Sequence, residues 1–170
     1  MESKYIFRQI KSEEIPEMFD IILERVAWMD EVGIRQWNVT GYAEAYPLSY
    51  YEEKHEKGEV FVLEEAESSK ILCAGVLRNE DERWDHVCDS ADGSALYLHN
   101  FASRVSAKGI GGIFLEMAEK FAAESGKQYF RLDSADDNEF LTQYYSSRGY
   151  LPVGSCIDGP YTGILREKRI

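Results

Sequence analysis

The chain has 170 residues, 44% of them hydrophobic and 29% charged, with a formal net charge of −12. That length suits one domain, 1–170, with a full core, and the composition is that of an ordinary globular protein. The acidic balance repels nucleic acid and anionic membrane, no apolar run approaches the roughly 20 residues of a span, and the N-terminus does not read as a signal peptide.

Lys4 to Ile10 alternates and predicts a first strand. Ser12 is placed to cap a helix, with Glu13 and Glu14 in its first turn. Ile15, Met18, Phe19, Ile22, Val26 and Met29 recur at helical spacing, and Gly33 suits the stop. An aromatic-rich loop follows, then a short helix from Leu48 to Lys57 with Pro47 at or before its first turn. Strands at Glu59 to Ala66 and Ile71 to Arg78 form a hairpin about Ser68 and Ser69. Asn79 to Gly93 reads as a polar, acidic loop. Ala95 to Ala102 is the next strand. A helix runs from about Ile110 to Ser125 with Ile110, Ile113, Phe114, Met117 and Phe121 as its stripe, and Gly126 ends it. Gln128 to Ser134 is a strand, Asn138 to Ser147 a helix ended by Gly149, and Tyr150 to Ser155 and Tyr161 to Arg166 are closing strands. Consecutive strands favour antiparallel pairing, and the strand–helix–strand unit favours one parallel pair. The expected class is α/β, a mixed, mostly antiparallel sheet with helices on both faces.

The stretch Val105 to Glu119 organises the rest. Between a strand and a helix stand Gly109, Gly111 and Gly112. Such a turn lets backbone approach an anion and aims unpaired N–H groups and the helix dipole at it. It reads as a phosphate or pyrophosphate cradle, or as a plain strand-to-helix turn. A dinucleotide fingerprint is excluded by Phe114 at its third glycine position, and a P-loop by the lack of Gly-Lys-Ser/Thr.

Ser106-Ala-Lys-Gly109-Ile-Gly111 resembles the Arg/Gln-x-x-Gly-x-Gly/Ala motif that holds the pyrophosphate of coenzyme A in the GNAT superfamily of N-acetyltransferases. Ser106 stands where that family carries Arg or Gln, so a side-chain donor is missing while backbone donors remain. Leu96-Tyr-Leu-His-Asn-Phe-Ala resembles the family's fourth strand, and Arg131-Leu-Asp with Asn138 its fifth strand and the asparagine after it. Tyr144-Tyr-Ser-Ser-Arg-Gly-Tyr-Leu-Pro-Val-Gly resembles its closing motif. The match is clear over the last half of the chain and by element order over the first.

The resemblance implies an acetyl-CoA-dependent N-acetyltransferase that transfers acetyl directly to a primary amine. The small-molecule acceptor is the preferred reading, with a protein or peptide N-acetyltransferase, or a non-catalytic acyl-CoA sensor, as alternatives. It implies coenzyme A contacts at Phe101, Ala102, Ser103, Ser106, Ala107, Lys108, Gly109, Ile110, Gly111, Gly112, Asn138, Tyr144 and Tyr145, with the Phe101 N–H facing the developing oxyanion. Tyr145, four residues before Gly149-Tyr150, is the candidate acid for the departing thiolate, or else a packed tyrosine.

His99 stands two residues before Phe101, so alternation predicts a shared face. Histidine suits taking an amine's proton near neutral pH, and a structural role fits equally. Glu80, Asp81 and Glu82 act through water or form a solvated loop. Trp28, Trp37, Tyr42 and Tyr46 wall an acceptor pocket or belong to the core. His55 and His86 have no ligand-spaced partners, so no metal is expected. Cys73, Cys88 and Cys156 lack zinc or disulfide spacing, which fits a reducing cytoplasm. A monomer or homodimer is expected.

Overall fold

The structure is a computed structural model and describes residues 3–170. Its elements are β1 (Tyr5–Gln9), α1 (Ile15–Val32), α2 (Tyr42–Ala45), α3 (Leu48–Glu56), β2 (Val60–Glu65), β3 (Lys70–Arg78), β4 (Ala95–Ser103), α4 (Ile110–Glu124), β5 (Tyr129–Ala135), α5 (Glu139–Ser147), β6 (Leu151–Asp158) and β7 (Tyr161–Arg169). The strands form one seven-stranded sheet in the order β1-β2-β3-β4-β5-β7-β6. β1–β2, β2–β3, β5–β7 and β6–β7 are antiparallel. β4 and β5 are parallel, paired over Ala95–Tyr97 and Tyr129–Arg131. The mixed, mostly antiparallel sheet is the one expected from the order of elements.

Contacts divide the chain into two compact units. The first holds the described residues up to Val76, with Asn100–Ala118. β2 is buried from Val60 to Leu63, so both of its faces are covered. Val60 and Val62 join Met18, Ile21, Ile22 and Tyr51 from α1 and α3 in one core cluster. Phe61 stacks on Phe7 at 5.3 Å, and Phe7 meets Phe114 of α4 edge-on at 5.4 Å. Met18, Ile21 and Ile22 are wholly buried, each worth roughly 1.5–3 kcal/mol. That burial, more than the propensity of its β-branched residues, holds α1 in place.

The start of α1 differs from expectation. Ser12–Glu14 form a 3₁₀ turn, and the Glu14 carboxylate, rather than the Ser12 hydroxyl, takes the Lys11 N–H at 2.9 Å. Pro16 then occupies the first turn, where its missing N–H has no cost. The face of α4 is also shifted: Leu115, Ala118 and Ala122 are buried, while Ile113, Met117 and Phe121 are half-buried.

The second unit is Leu77–His99 with Glu119–Ile170. Trp84, Ala95, Tyr97, Cys156 and Leu165 form its core cluster. Trp84 lies in a 3₁₀ turn, Glu82–Trp84, and is fully buried, so the acidic loop is anchored by one large side chain. The Arg131 guanidinium lies over the rings of Trp84, Tyr97 and Tyr129 at 5.1–5.5 Å and donates to the Tyr97 hydroxyl and the Glu167 carboxylate. β6 and β7 extend beyond the predicted bounds, to Asp158 and Arg169. No helix among the described residues is long and apolar enough to cross a membrane.

Candidate active site

In the first unit, β4 ends at Ser103 and the chain turns through Arg104–Gly109 into α4. Gly109 holds φ +78°, and nothing lies within 4 Å of where its Cβ would be. A left-handed residue opening on free space at the N-terminus of a 15-residue helix is what close approach of an anion requires. The first N–H groups of any α-helix have no intrahelical acceptor, which here are those at the start of α4. Ser106 and Lys108 are exposed on the turn.

The turn is braced by residues that the sequence did not single out. Arg104 donates to the Ile71 carbonyl and the Glu17 carboxylate, both at 2.7 Å. Glu24 takes the Val105 N–H at 3.1 Å, so that amide is already committed. Arg25 grips the Ser103 carbonyl at 2.6 Å and its hydroxyl at 3.0 Å. Burial lowers the Arg25 pKa against the pull of Glu24. Glu17, Glu24 and Arg25 are charges on amphipathic α1 and Arg104 lies on the turn itself, so no periodic signal announces them.

Asn100 interrupts β4. Its φ is +51°, uncommon outside glycine. The buried side chain donates to the Tyr42 hydroxyl at 2.6 Å and accepts from the Tyr50 hydroxyl at 3.0 Å. A polar residue inside the apolar run Ala95 to Ala102 was the available sign of this kink. Burial still alternates across it, with His99 and Phe101 half-buried and Asn100 and Ala102 buried. Phe101 packs against Phe114, centroids 5.2 Å apart, and Ala102 is buried.

Of the predicted acceptor aromatics, the structure joins three. Trp37 and Tyr42 stack at 4.1 Å, Tyr46 meets Tyr42 at 4.8 Å, and Tyr50 continues the series at 4.9 Å. At 4.1 Å no cation fits between Trp37 and Tyr42, and Trp37, Tyr42, Tyr46 and Tyr50 all pack against the core cluster of the first unit. Trp28 lies against the Arg25 guanidinium at 4.7 Å instead. The Tyr51 hydroxyl is buried without a hydrogen-bond partner, and burial pushes its pKa well up.

In the second unit, His99 lies in a closed cluster with Asp81, Arg83 and Asp133. Arg83 Nη2 is 2.8 Å from His99 Nδ1 and 3.4 Å from Asp133 Oδ1. Arginine only donates, so Nδ1 accepts and the ring proton is on Nε2. That nitrogen faces Asp81 Oδ2 at 3.1 Å, but at an angle that leaves neither atom a well-formed hydrogen bond. His99 therefore has its lone pair covered by Arg83. Burial works to raise the Asp81 pKa, but His99 and Arg83 outweigh it and hold it at about 2. Ligand atoms of Asp81, His99 and Asp133 lie within 4.8 Å of one another. The Arg83 guanidinium already supplies positive charge among them. Glu80 takes no part; with Glu82, Asp85, Asp89 and Ser90 it lines an open acidic depression of about 460 Å³.

Asn138 caps α5, accepting the Leu141 N–H at 3.0 Å. Tyr145 is buried on that helix, its ring edge-on to Tyr144 at 5.3 Å and to Tyr150 at 5.6 Å. The three cysteines are free; burial pushes the Cys73 thiol well up and that of Cys156 to about 11.

The fold is that of the GNAT acetyltransferases. A GNAT-family acetyltransferase from Listeria monocytogenes 4b F2365 superposes with a TM-score of 0.80 at 24% identity, over 98% of this chain and 95% of that one. One from Streptococcus agalactiae 2603 gives 0.78 at 17% identity, over 98% and 95%. The PaiA N-acetyltransferase of Thermoplasma acidophilum, solved with coenzyme A, gives 0.73 at 16% identity, over 99% and 100%. No family model and no curated protein sequence matches the chain.

Proposed function

We propose that the chain is an acetyl-CoA-dependent N-acetyltransferase acting on a primary amine of a small molecule. The observation that carries this is the strand–turn–helix at Arg104–Gly112. It has a left-handed Gly109 open to an incoming group, in a fold shared with acetyltransferases, one of them solved with coenzyme A. That open cradle fits a pyrophosphate. Acetyl-CoA, when bound, supplies an acetyl group activated as a thioester.

The chain's residues then have separate tasks. The Ala107 and Ile110 N–H groups already donate to the Arg104 and Ala107 carbonyls, so those of Lys108, Gly109, Gly111 and Gly112 are the candidates to hold the pyrophosphate, and exposed Lys108 adds a positive charge. Strand kinks leave backbone groups without ladder partners. The Asn100 kink thus favours a free Phe101 N–H as the oxyanion donor, a contact typically worth ~3–4 kcal/mol of barrier. Ala102 and Ser103 continue that wall. Asn138 and Tyr144 flank the pantetheine arm, and Tyr145 gives its proton to the leaving thiolate. His99 is the candidate base for the amine, a role that needs Arg83 to withdraw from Nδ1. Trp37, Tyr42, Tyr46 and Glu80 contribute to the acceptor side; Trp28 serves through Arg25. The buried thiols of Cys73 and Cys156, held protonated, are poor nucleophiles, which disfavours either as an acyl carrier and supports direct transfer. The setting is a reducing cytoplasm. The chain acts as a monomer or homodimer, and exposed Leu151 and Ile157 on edge strand β6 are the side chains that bear on assembly.

The test is Tyr145→Phe, which removes the hydroxyl and keeps the ring contacts. With acetyl-CoA and an accepted amine, kcat falls ~10²-fold or more while calorimetric affinity for acetyl-CoA stays near wild type. Wild-type values of both remove Tyr145 from the mechanism.

A further inference from the structure

The ladder between β4 and β5 ends at Tyr97 and Arg131, although both strands run on. At that last pair the side chains meet, Arg131 donating to the Tyr97 hydroxyl at 2.6 Å. Carried two residues further, the same register and the same faces set His99 of β4 beside Asp133 of β5. Here a third side chain stands between the two. Arg83 Nη2 lies 2.8 Å from His99 Nδ1 and 3.4 Å from Asp133 Oδ1. The guanidinium fills the place between an imidazole lone pair and a carboxylate oxygen.

The neighbours hold both walls of that place. The Tyr161 hydroxyl donates to Asp133 Oδ2 at 2.6 Å, which keeps Oδ1 on the Arg83 side. Asp81 Oδ2 faces the other ring nitrogen of His99 at 3.1 Å. The side chains of Asp81, His99 and Asp133 are 1%, 9% and 11% exposed, so water screens their charges little. Arg83 is tethered nearer its main chain, its backbone N–H and Nε lying 3.1 and 3.5 Å from Asp81 Oδ1. Rotation of the outer side chain clears the place without releasing that backbone bond.

An ammonium offers His99 and Asp133 what Arg83 offers them: an N–H for the lone pair and a positive charge for the carboxylate. We propose that the acceptor's primary ammonium binds by taking the place of the Arg83 guanidinium between His99 Nδ1 and Asp133 Oδ1, with Asp133 as its counter-charge. This rests on the reading of His99 as the base. In the step that follows, an N–H bond of the ammonium breaks, its electron pair stays on the amine nitrogen, and the proton joins His99 Nδ1. The imidazolium so formed lies between the Asp81 and Asp133 carboxylates. The acceptor class is an alkylamine, cationic at neutral pH as lysine is. An arylamine, neutral there, would leave both carboxylates without the charge that Arg83 gave them. Arg83 is then an internal competitor, which raises the amine concentration needed for half occupancy.

The test follows the side-chain nitrogens of nitrogen-labelled histidine in the whole chain, His99 being assigned by His99→Gln, with propylammonium as the probe. In wild type at neutral pH Nδ1 is the unprotonated nitrogen; a proton there overturns the proposal without any Arg83 variant. In Arg83→Ala the probe moves the Nδ1 signal at a concentration about tenfold below that needed in wild type. Millimolar guanidinium, which refills the place, reverses the shift. Adding Asp133→Asn, which keeps the size of the side chain, weakens the probe about tenfold or more. A probe that leaves Nδ1 unmoved in Arg83→Ala, or that acts equally in the double variant, overturns the proposal. With an alkylamine that turns over, Asp133→Asn by itself raises KM about tenfold or more while acetyl-CoA affinity stays at wild type; an unchanged KM overturns it as well. If the probe behaves as expected but no amine releases thiol, or His99→Gln keeps wild-type kcat, it is the transfer or the base reading that falls, and the ammonium site stands.

Discussion

Replacing Gly109 by alanine separates the cradle's fold from its ligand. With no atom within 4 Å of the added Cβ, the substitution creates no clash. Its cost is the left-handed backbone at φ +78°, roughly 1–2 kcal/mol for an L-residue. Lower entropy of the unfolded chain returns about 0.4–1 kcal/mol. The net, about 1 kcal/mol, lowers Tm by about 2–4 °C for a chain of this size. Gly126, at φ +82° and equally open, is the matched control beyond the far end of the same helix. The methyl at Gly109 enters the space assigned to the pyrophosphate; the methyl at Gly126 does not. Loss of one charge-assisted hydrogen bond, about 1.5–3 kcal/mol, weakens coenzyme A binding ~10- to 100-fold. The two variants are therefore expected to melt alike and to differ in calorimetric Kd for coenzyme A. Equal melting with equal, wild-type Kd would refute the placement of the pyrophosphate.

The kink and the closed cluster give further tests. Asn100→Gly keeps the left-handed backbone but deprives the Tyr42 and Tyr50 hydroxyls of their shared partner, so denaturant unfolding should show a loss of about 1–3 kcal/mol. A neutral result would mean that those bonds hold nothing. Asp81 has a folded pKa of about 2, below the usual ~3.9. Its contribution is therefore complete above about pH 4 and lost as pH falls through 2, a loss of about 2–3 kcal/mol. Thermal melts of Asp81→Asn should accordingly fall less steeply than wild type between about pH 4 and pH 2; parallel curves would remove the Asp81–His99–Arg83 pairing from the stability of the fold.

Elements whose signal is local were legible in the sequence. Gly33, Gly109, Gly126 and Gly149 all take positive φ where helices begin or end, because there only a residue without a Cβ adopts the conformation without strain. The strand-helix-strand unit gave the parallel β4–β5 pair for topological reasons. What alternation could not supply was the left-handed backbone at Asn100 inside β4. Long-range polar pairing was hidden as well. Arg104 finds Glu17, Arg83 finds His99 and Asp133, and Arg166 finds Ser134 and Thr142, across separations that carry no periodic trace. Ser12 misled because a nearby glutamate, Glu14, reached the backbone first.

The central claim, acetyl transfer to a small amine, is tested most directly by incubating the wild-type chain with acetyl-CoA and a panel of small primary amines. Free thiol is followed continuously and products are weighed by mass spectrometry. The expected result is thiol release matched one for one by an N-acetylated product for at least one amine. Coenzyme A binding with no thiol release on any small amine, while a peptide amine is acetylated, would contradict the acceptor class; binding with no turnover on either would contradict the enzyme.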